Sequence, residues 1–269
     1  MKRKWIEEST TVTKGKSKRI SSISDIVEDT NIPPYNAVAY METFFSDSEK
    51  CTGTGFVATC SGRKLLVTCG HNVCQYSDET KTIERCREVD VYFGYNRDAS
   101  YAYSFSMKGS EFYIPCQNLL NSNIFDFAIA EIDESIAKML GFLFELELNF
   151  QKTETEIIGN ACKYPSLKFS MAGYHYCANG DYTMWQTDVG DLLEFDCPVT
   201  YYDATTPVNS GSPIFSSQSN GNYVAVGIHV SNEKIDNKAL LFSEMQGKEC
   251  FTTGKNKTKF ILHLLFNIK

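Results

Sequence analysis

The sequence contains no run approaching the roughly 20 consecutive apolar residues that a membrane-spanning helix needs, so no transmembrane segment is expected. Its start, MKRKWIEESTTVTKGKSKR, is basic but has no apolar core behind it and does not read as a secretory leader. The expected location is therefore intracellular, cytoplasmic or nuclear. Positive charge is also scarce. Net charge is −7, which argues against nucleic acid as the main partner of the body of the chain. Ligand pairs at CxxC or HxxxH spacing are missing. Cys69-Gly-His71-Asn-Val-Cys74 thus stands without a second pair, and neither a metal site nor any cofactor is expected. Histidine is rare too: only His71, His175, His229 and His263 are available for proton transfer near neutral pH.

What remains is an ordinary globular composition, 42% apolar and 22% charged over 269 residues. A chain of this length buries roughly 70–75% of its unfolded surface, enough for a core that depends on no disulfide or metal. The charge is unevenly spread. Lys2, Arg3, Lys4, Lys14, Lys16, Lys18 and Arg19 against Glu7 and Glu8 give residues 1–20 a net +5, leaving −12 for the rest. Residues 1–33 read as a basic, solvated, flexible segment. The ten cysteines include Cys69 in LLVTCG and Cys197 in LEFDCPV, which lie in apolar runs. There a free thiol packs as a small hydrophobe, and reduced cysteines are expected.

Periodicity in the body is mostly that of strands. NAVAYMETFF, GTGFVATC, KLLVTCG, VDVYFGY, YAYSFSM, EFYIPC, FDFAIAEI, LEFDCPVTYY, SPIFSS, YVAVGIHVS and KALLFS are short and rich in Val, Ile, Phe and Tyr. Gly, Asn, Asp and Ser punctuate them. Phe260, Ile261, Leu264, Leu265 and Ile268 form an apolar stripe at helical spacing, predicting a C-terminal helix. SIAKMLGFLFEL is a weaker helical stretch, and the polar NFQKTETE at 149–156 is the best internal linker. The predicted fold is all-β: two six-stranded antiparallel barrels, 34–150 and 151–254, closed by a helix over 255–269.

Hydroxyl-based catalysis needs a base, a carboxylate to orient it and donors for the oxyanion. His71 follows an apolar strand directly in KLLVTCGHNVC. Asp126 enters an apolar strand in NIFDFAIAEID, where a lone carboxylate is costly unless paired. Ser210 sits in TTPVNSGSPIF, where a Ser-Gly-Ser run permits a tight turn that presents a hydroxyl. The series GTGFVA, LLVTCGH, DFAIAEI, NSGSPIF, VAVGIHV resembles the chymotrypsin-like serine proteases, and more narrowly the glutamyl endopeptidase branch. It covers roughly residues 36–269, in the family's His, Asp, Ser order.

This resemblance implies Ser210 as nucleophile, His71 as general base and Asp126 as the group that orients His71, with the N–H groups of Val208 and Ser210 forming the oxyanion hole. In the trypsin branch, the position six before the serine carries an Asp that selects Lys or Arg; here it is Ala204. Thr205 and His229 instead match the pair that holds an acidic P1 side chain, and two such donors suit Glu or Gln. A protonated His229 would favour Glu and weaken above pH about 6.5. Val230, Ser231 and Asn232 are expected to pair with the substrate backbone. The implied partners are protein or peptide substrates, with no membrane involved.

Three departures accompany the resemblance. Val208 stands where Gly is usual, and a β-branched residue resists unusual φ values. That leaves open a latent enzyme, or an inactive pseudoprotease acting as a peptide-binding module. Asn209 replaces the Asp that pairs with a newly cut N-terminus in trypsins. Asn72 occupies the place of a usual disulfide cysteine.

Overall fold

The computed structural model describes residues 24–60, 62–77, 82–96, 98–114, 126–140, 146–148, 169–177, 180–189, 192–194, 199–201, 209–232 and 237–241. Its strands are β1 (Ser24–Ile26), β2 (Val38–Phe44), β3 (Lys50–Cys60), β4 (Arg63–Thr68), β5 (Cys74–Ser77), β6 (Thr82–Arg85), β7 (Glu88–Phe93), β8 (Tyr103–Lys108), β9 (Ala128–Glu131), β10 (Leu146–Leu148), β11 (Phe169–Tyr176), β12 (Tyr182–Val189), β13 (Leu192–Glu194), β14 (Val199–Tyr201), β15 (Pro213–Ser217), β16 (Tyr223–Asn232) and β17 (Asn237–Leu241). A single α-helix is present among the described residues, α1 (Glu134–Met139), capped by the Asp133 carboxylate accepting from the Ser135 N–H.

Hydrogen-bonded neighbours in the first half run β9-β4-β3-β2-β7-β8, a six-stranded antiparallel sheet. In the second half they run β12-β11-β15-β16-β17-β14, with short β1 on β12 and β13 on β14. The parallel strand β10 lies between β3 and β16 and stitches the two halves together. These are two curled sheets of an all-β, two-barrel fold, as expected. The expected helix over 255–269 and the linker at 149–156 lie outside the described residues.

The period-2 alternation explains how one strand serves two cores. On β2, Ala39 and Met41 pack with Val57, Leu66, Val91 and Phe93 inside the first barrel. The alternate residues Val38 and Tyr40 face the other way, onto Ala172, Tyr174, Met184 and Phe215 between the barrels. β11 repeats the device: Phe169 and Met171 enter the second core with Ile214, Val224 and Val226, while Ala172 and Tyr174 return to the interface. Burying each large apolar side chain contributes about 1.5–3 kcal/mol.

Four expectations change. Ser24–Ile26 is paired strand rather than flexible segment, because its backbone completes the edge of β12. The described residues of EFYIPC, 111–114, form no strand: a 3₁₀ turn covers Gly109–Glu111, and Tyr113 makes only an isolated bridge to Ile129. LEFDCPVTYY, read as one run, contains two separate strands, β13 and β14. The helix in SIAKMLGFLFEL stops at Met139, and Leu146 already lies in β10.

Candidate active site

His71 is placed by the end of β4, where Cys69 leads into a 3₁₀ turn, Gly70–Asn72. Asp126 lies two residues before the start of β9, the strand paired with β4, so strand pairing brings the two residues together across 55 positions. Asp126 grips His71 twice. One carboxylate oxygen accepts the His71 backbone N–H at 2.9 Å, and the other lies 2.5 Å from Nδ1. The Asp126 side chain is 8% exposed, whereas that of His71 is 41% exposed, so the ring meets solvent and its partner does not. Burial alone would push the imidazole pKa down. The adjacent Asp126 charge and hydrogen bond outweigh it, and the net shift is upward.

Ser210 comes from the second half, on the turn before β15. The Asn209 carbonyl accepts the Ser212 N–H at 2.9 Å, and Gly211 takes φ +94°, a conformation glycine adopts without strain. A Cβ on Gly211 would also lie 1.9 Å from the Thr54 carbonyl. The Ser210 carbonyl accepts the Thr54 N–H at 3.0 Å and the Asn72 amide at 2.8 Å. Asn72 further donates to Thr68 Oγ1 at 2.9 Å. The residue next to His71 therefore holds the backbone of Ser210, and the two halves of the site are tied at that point.

His229 lies on β16 behind this turn and is buried. Its carbonyl accepts the Gly211 N–H at 2.8 Å and the Cys69 thiol at 3.1 Å, and its N–H donates to the Ser212 carbonyl at 2.9 Å. Burial, followed by the fields of His71 and His175, pushes its pKa down to about 3, so the ring is neutral at physiological pH. This corrects the expectation built on a value near 6.5: the ring has been moved out of water, and burial disfavours its charged form. His175 on β11 is likewise pushed down, to about 4, by burial, and its ring lies 5.5 Å from that of Trp185.

Beyond His229, β16 keeps β17 on one side through Asn232 and has no strand partner on the β15 side among the described residues. The backbone of Val230, Ser231 and Asn232 thus forms an edge, although the Val230 side chain itself is buried. Thr205 and Val208 lie outside the described residues. His71, Asp126, Ser210 and His229 are brought together; Asn72, Thr54, Cys69 and His175 join them without having been singled out for these places. Of these, Asn72 carried a signal, a buried amide where the resembling proteins have a cysteine.

No family model and no curated protein sequence matches the chain. Solved structures do. A Glu endopeptidase superposes with TM-score 0.56 at 22% identity, covering 81% of this chain and 90% of its own. A protease, Anisep, from Arthrobacter nicotinovorans superposes with TM-score 0.61 at 12% identity, covering 82% and 94%. A thermostable serine protease from an extremophilic microorganism gives 0.58 at 11% identity, covering 78% and 94%. At these identities the likeness concerns the fold: the chain has the two-barrel, chymotrypsin-like architecture of these serine proteases.

Proposed function

We propose that the chain is a serine endopeptidase cleaving after Glu or Gln. Ser210 Oγ attacks the scissile carbonyl while His71 takes its proton. Asp126 holds the imidazole in the required tautomer and stabilises the imidazolium. The oxyanion is held by the N–H groups of Ser210 and Val208. Collapse expels the amine, which takes the proton from His71 and leaves an ester on Ser210. Water, deprotonated by His71, then hydrolyses that ester and restores the serine. The observation that carries this reading is the double grip of Asp126 on His71, beside the Asn72 amide that anchors Ser210.

Thr205 and His229 hold the P1 side chain. As a neutral ring, His229 offers one N–H donor in place of a full charge, which suits the amide oxygen of Gln as well as the carboxylate of Glu. The open edge at Val230–Asn232 receives substrate as an added strand. Among the described residues no helix is long and apolar enough to cross a membrane, and peptide or protein substrates reach the exposed His71 from solvent. The test is a digest of a proteome-derived peptide library, read by mass spectrometry for wild type and Ser210→Ala. Cleavage after Glu or Gln that disappears in the variant supports the proposal. Peptide binding without turnover that survives Ser210→Ala would instead identify a protease-fold binding module, the alternative that Val208 favours.

A further inference from the structure

Cys69 occupies an unusual place. Its Sγ is fully buried at the end of β4, two residues before His71, and the mechanism above gives it no role. Yet the thiol, a ring nitrogen of His71 and a carboxylate oxygen of Asp126 all lie within 4.8 Å of one another. Thiolate, imidazole and carboxylate are the three donor types that zinc accepts, and three protein ligands with one open position make a common zinc arrangement. We infer that Cys69, His71 and Asp126 form an inhibitory zinc site that captures the catalytic pair.

Zinc bonds of about 2.3 Å to sulfur and about 2.0–2.2 Å to nitrogen and oxygen place tetrahedral donors about 3.3–3.6 Å apart. The donors need shifts of roughly an ångström to meet this, which the solvent-facing His71 ring supplies most readily. The fourth position takes water. On binding, the Cys69 thiol releases a proton to solvent, the single proton of neutral His71 passes through solvent from Nδ1 to Nε2, and the Cys69–His229 hydrogen bond is given up. The consequence for catalysis follows from the ring's chemistry. A neutral imidazole metallated at Nδ1 carries its remaining proton on Nε2 and cannot accept one from Ser210. Zinc therefore switches the base off without occupying the substrate pocket. The site stands on the donor set alone, and only its inhibitory effect rests on the proteolytic reading.

The test substitutes cobalt(II) for zinc in the full chain, kept reduced and freed of metal beforehand. A near-ultraviolet thiolate-to-cobalt charge-transfer band is expected with about one equivalent bound, displaced by ZnCl2. It is lost in Cys69→Ala and kept in Cys60→Ala, which removes another buried thiol. Asp126→Asn, which preserves volume, weakens cobalt binding while leaving the thiol in place. In parallel, zinc blocks fluorophosphonate labelling of Ser210 in wild type and not in Cys69→Ala. No cobalt band, or a band unchanged by Cys69→Ala, overturns the site. Labelling that zinc leaves untouched in a chain showing the band overturns the inhibition. Failure of the metal-free chain to label at all is a failure of the proteolytic reading, and the cobalt band still decides the site.

Discussion

His71 and His229 are joined through the same turn yet live in opposite electrostatic surroundings. Both are partly or wholly withdrawn from water, which by itself disfavours the imidazolium. His71 has Asp126 at 2.5 Å and its pKa rises; His229 is buried beside the fields of His71 and His175, and its pKa falls to about 3. At His71 the carboxylate sets the sign, and at His229 burial does. The site thus separates a ring poised to carry a proton from a ring fixed as a neutral hydrogen-bond donor, using the same residue type at the edge of one barrel and inside the other.

Removing the carboxylate is the hardest way to break that contrast. Asp126→Asn is expected to lower kcat by about 10⁴-fold, with the fold retained, as measured by peptide hydrolysis alongside circular dichroism. It should also bring the His71 pKa down towards that of His229 in an imidazole NMR titration. A wild-type His71 that titrated below 6.5 would contradict the comparison.

The two rings also divide the pH dependence. His71 must be neutral to act as base, so kcat/KM rises with pH through a midpoint above the ordinary 6.5. His229 stays neutral throughout this range and adds no limb above pH about 4 in the free enzyme. Its effect appears in stability. The unfolded chain takes up a proton at His229 near pH 6.5 and the folded chain only near 3, so stability is fully present above 6.5 and declines as pH falls through that window. A variant lacking the ring, His229→Gln, should flatten this part of a Tm-against-pH curve. An unchanged curve would remove His229 from the account of acid sensitivity.

Smaller effects test how the halves are joined. Asn72→Ala removes the donor to the Ser210 and Thr68 oxygens and should cost about 1–3 kcal/mol in urea unfolding, with a drop in kcat larger than any change in KM. Gly173→Ala places a Cβ 1.8 Å from the buried Ser212 Oγ and should cost about 1–3 kcal/mol through overpacking beside the nucleophile turn. Retained stability in either variant would show that the turn is held by other contacts.

The same contrast separates what the sequence makes legible from what only the fold supplies. The pairing of His71 with Asp126 and the turn at Ser210 were legible as polar residues beside apolar strands, while the catalytic roles given to them belong to the proposal. β2, β4 and β16 were legible as short runs rich in Val, Leu, Ile and Tyr. β11 and β12 were not. FSMAGYHY is broken by Ser, Gly and His, and YTMWQTDV interleaves Thr, Gln and Asp that read as loop. The neutral state of His229 was also hidden, since it depends first on how deeply the fold buries the ring. Asn72 stood out as a departure, but the contact that gives it value, to a backbone carbonyl 138 positions away, was hidden.

On the proposed mechanism, Asp126 and His71 activate Ser210 as one unit. Reaction of the full chain with a fluorophosphonate, located by tryptic peptide mapping, tests it most directly in wild type, His71→Ala and Asp126→Asn. A single adduct on Ser210 is expected in wild type, formed at least about a hundredfold more slowly in either variant. An adduct elsewhere, or one forming on Ser210 at the same rate in all three proteins, would contradict it.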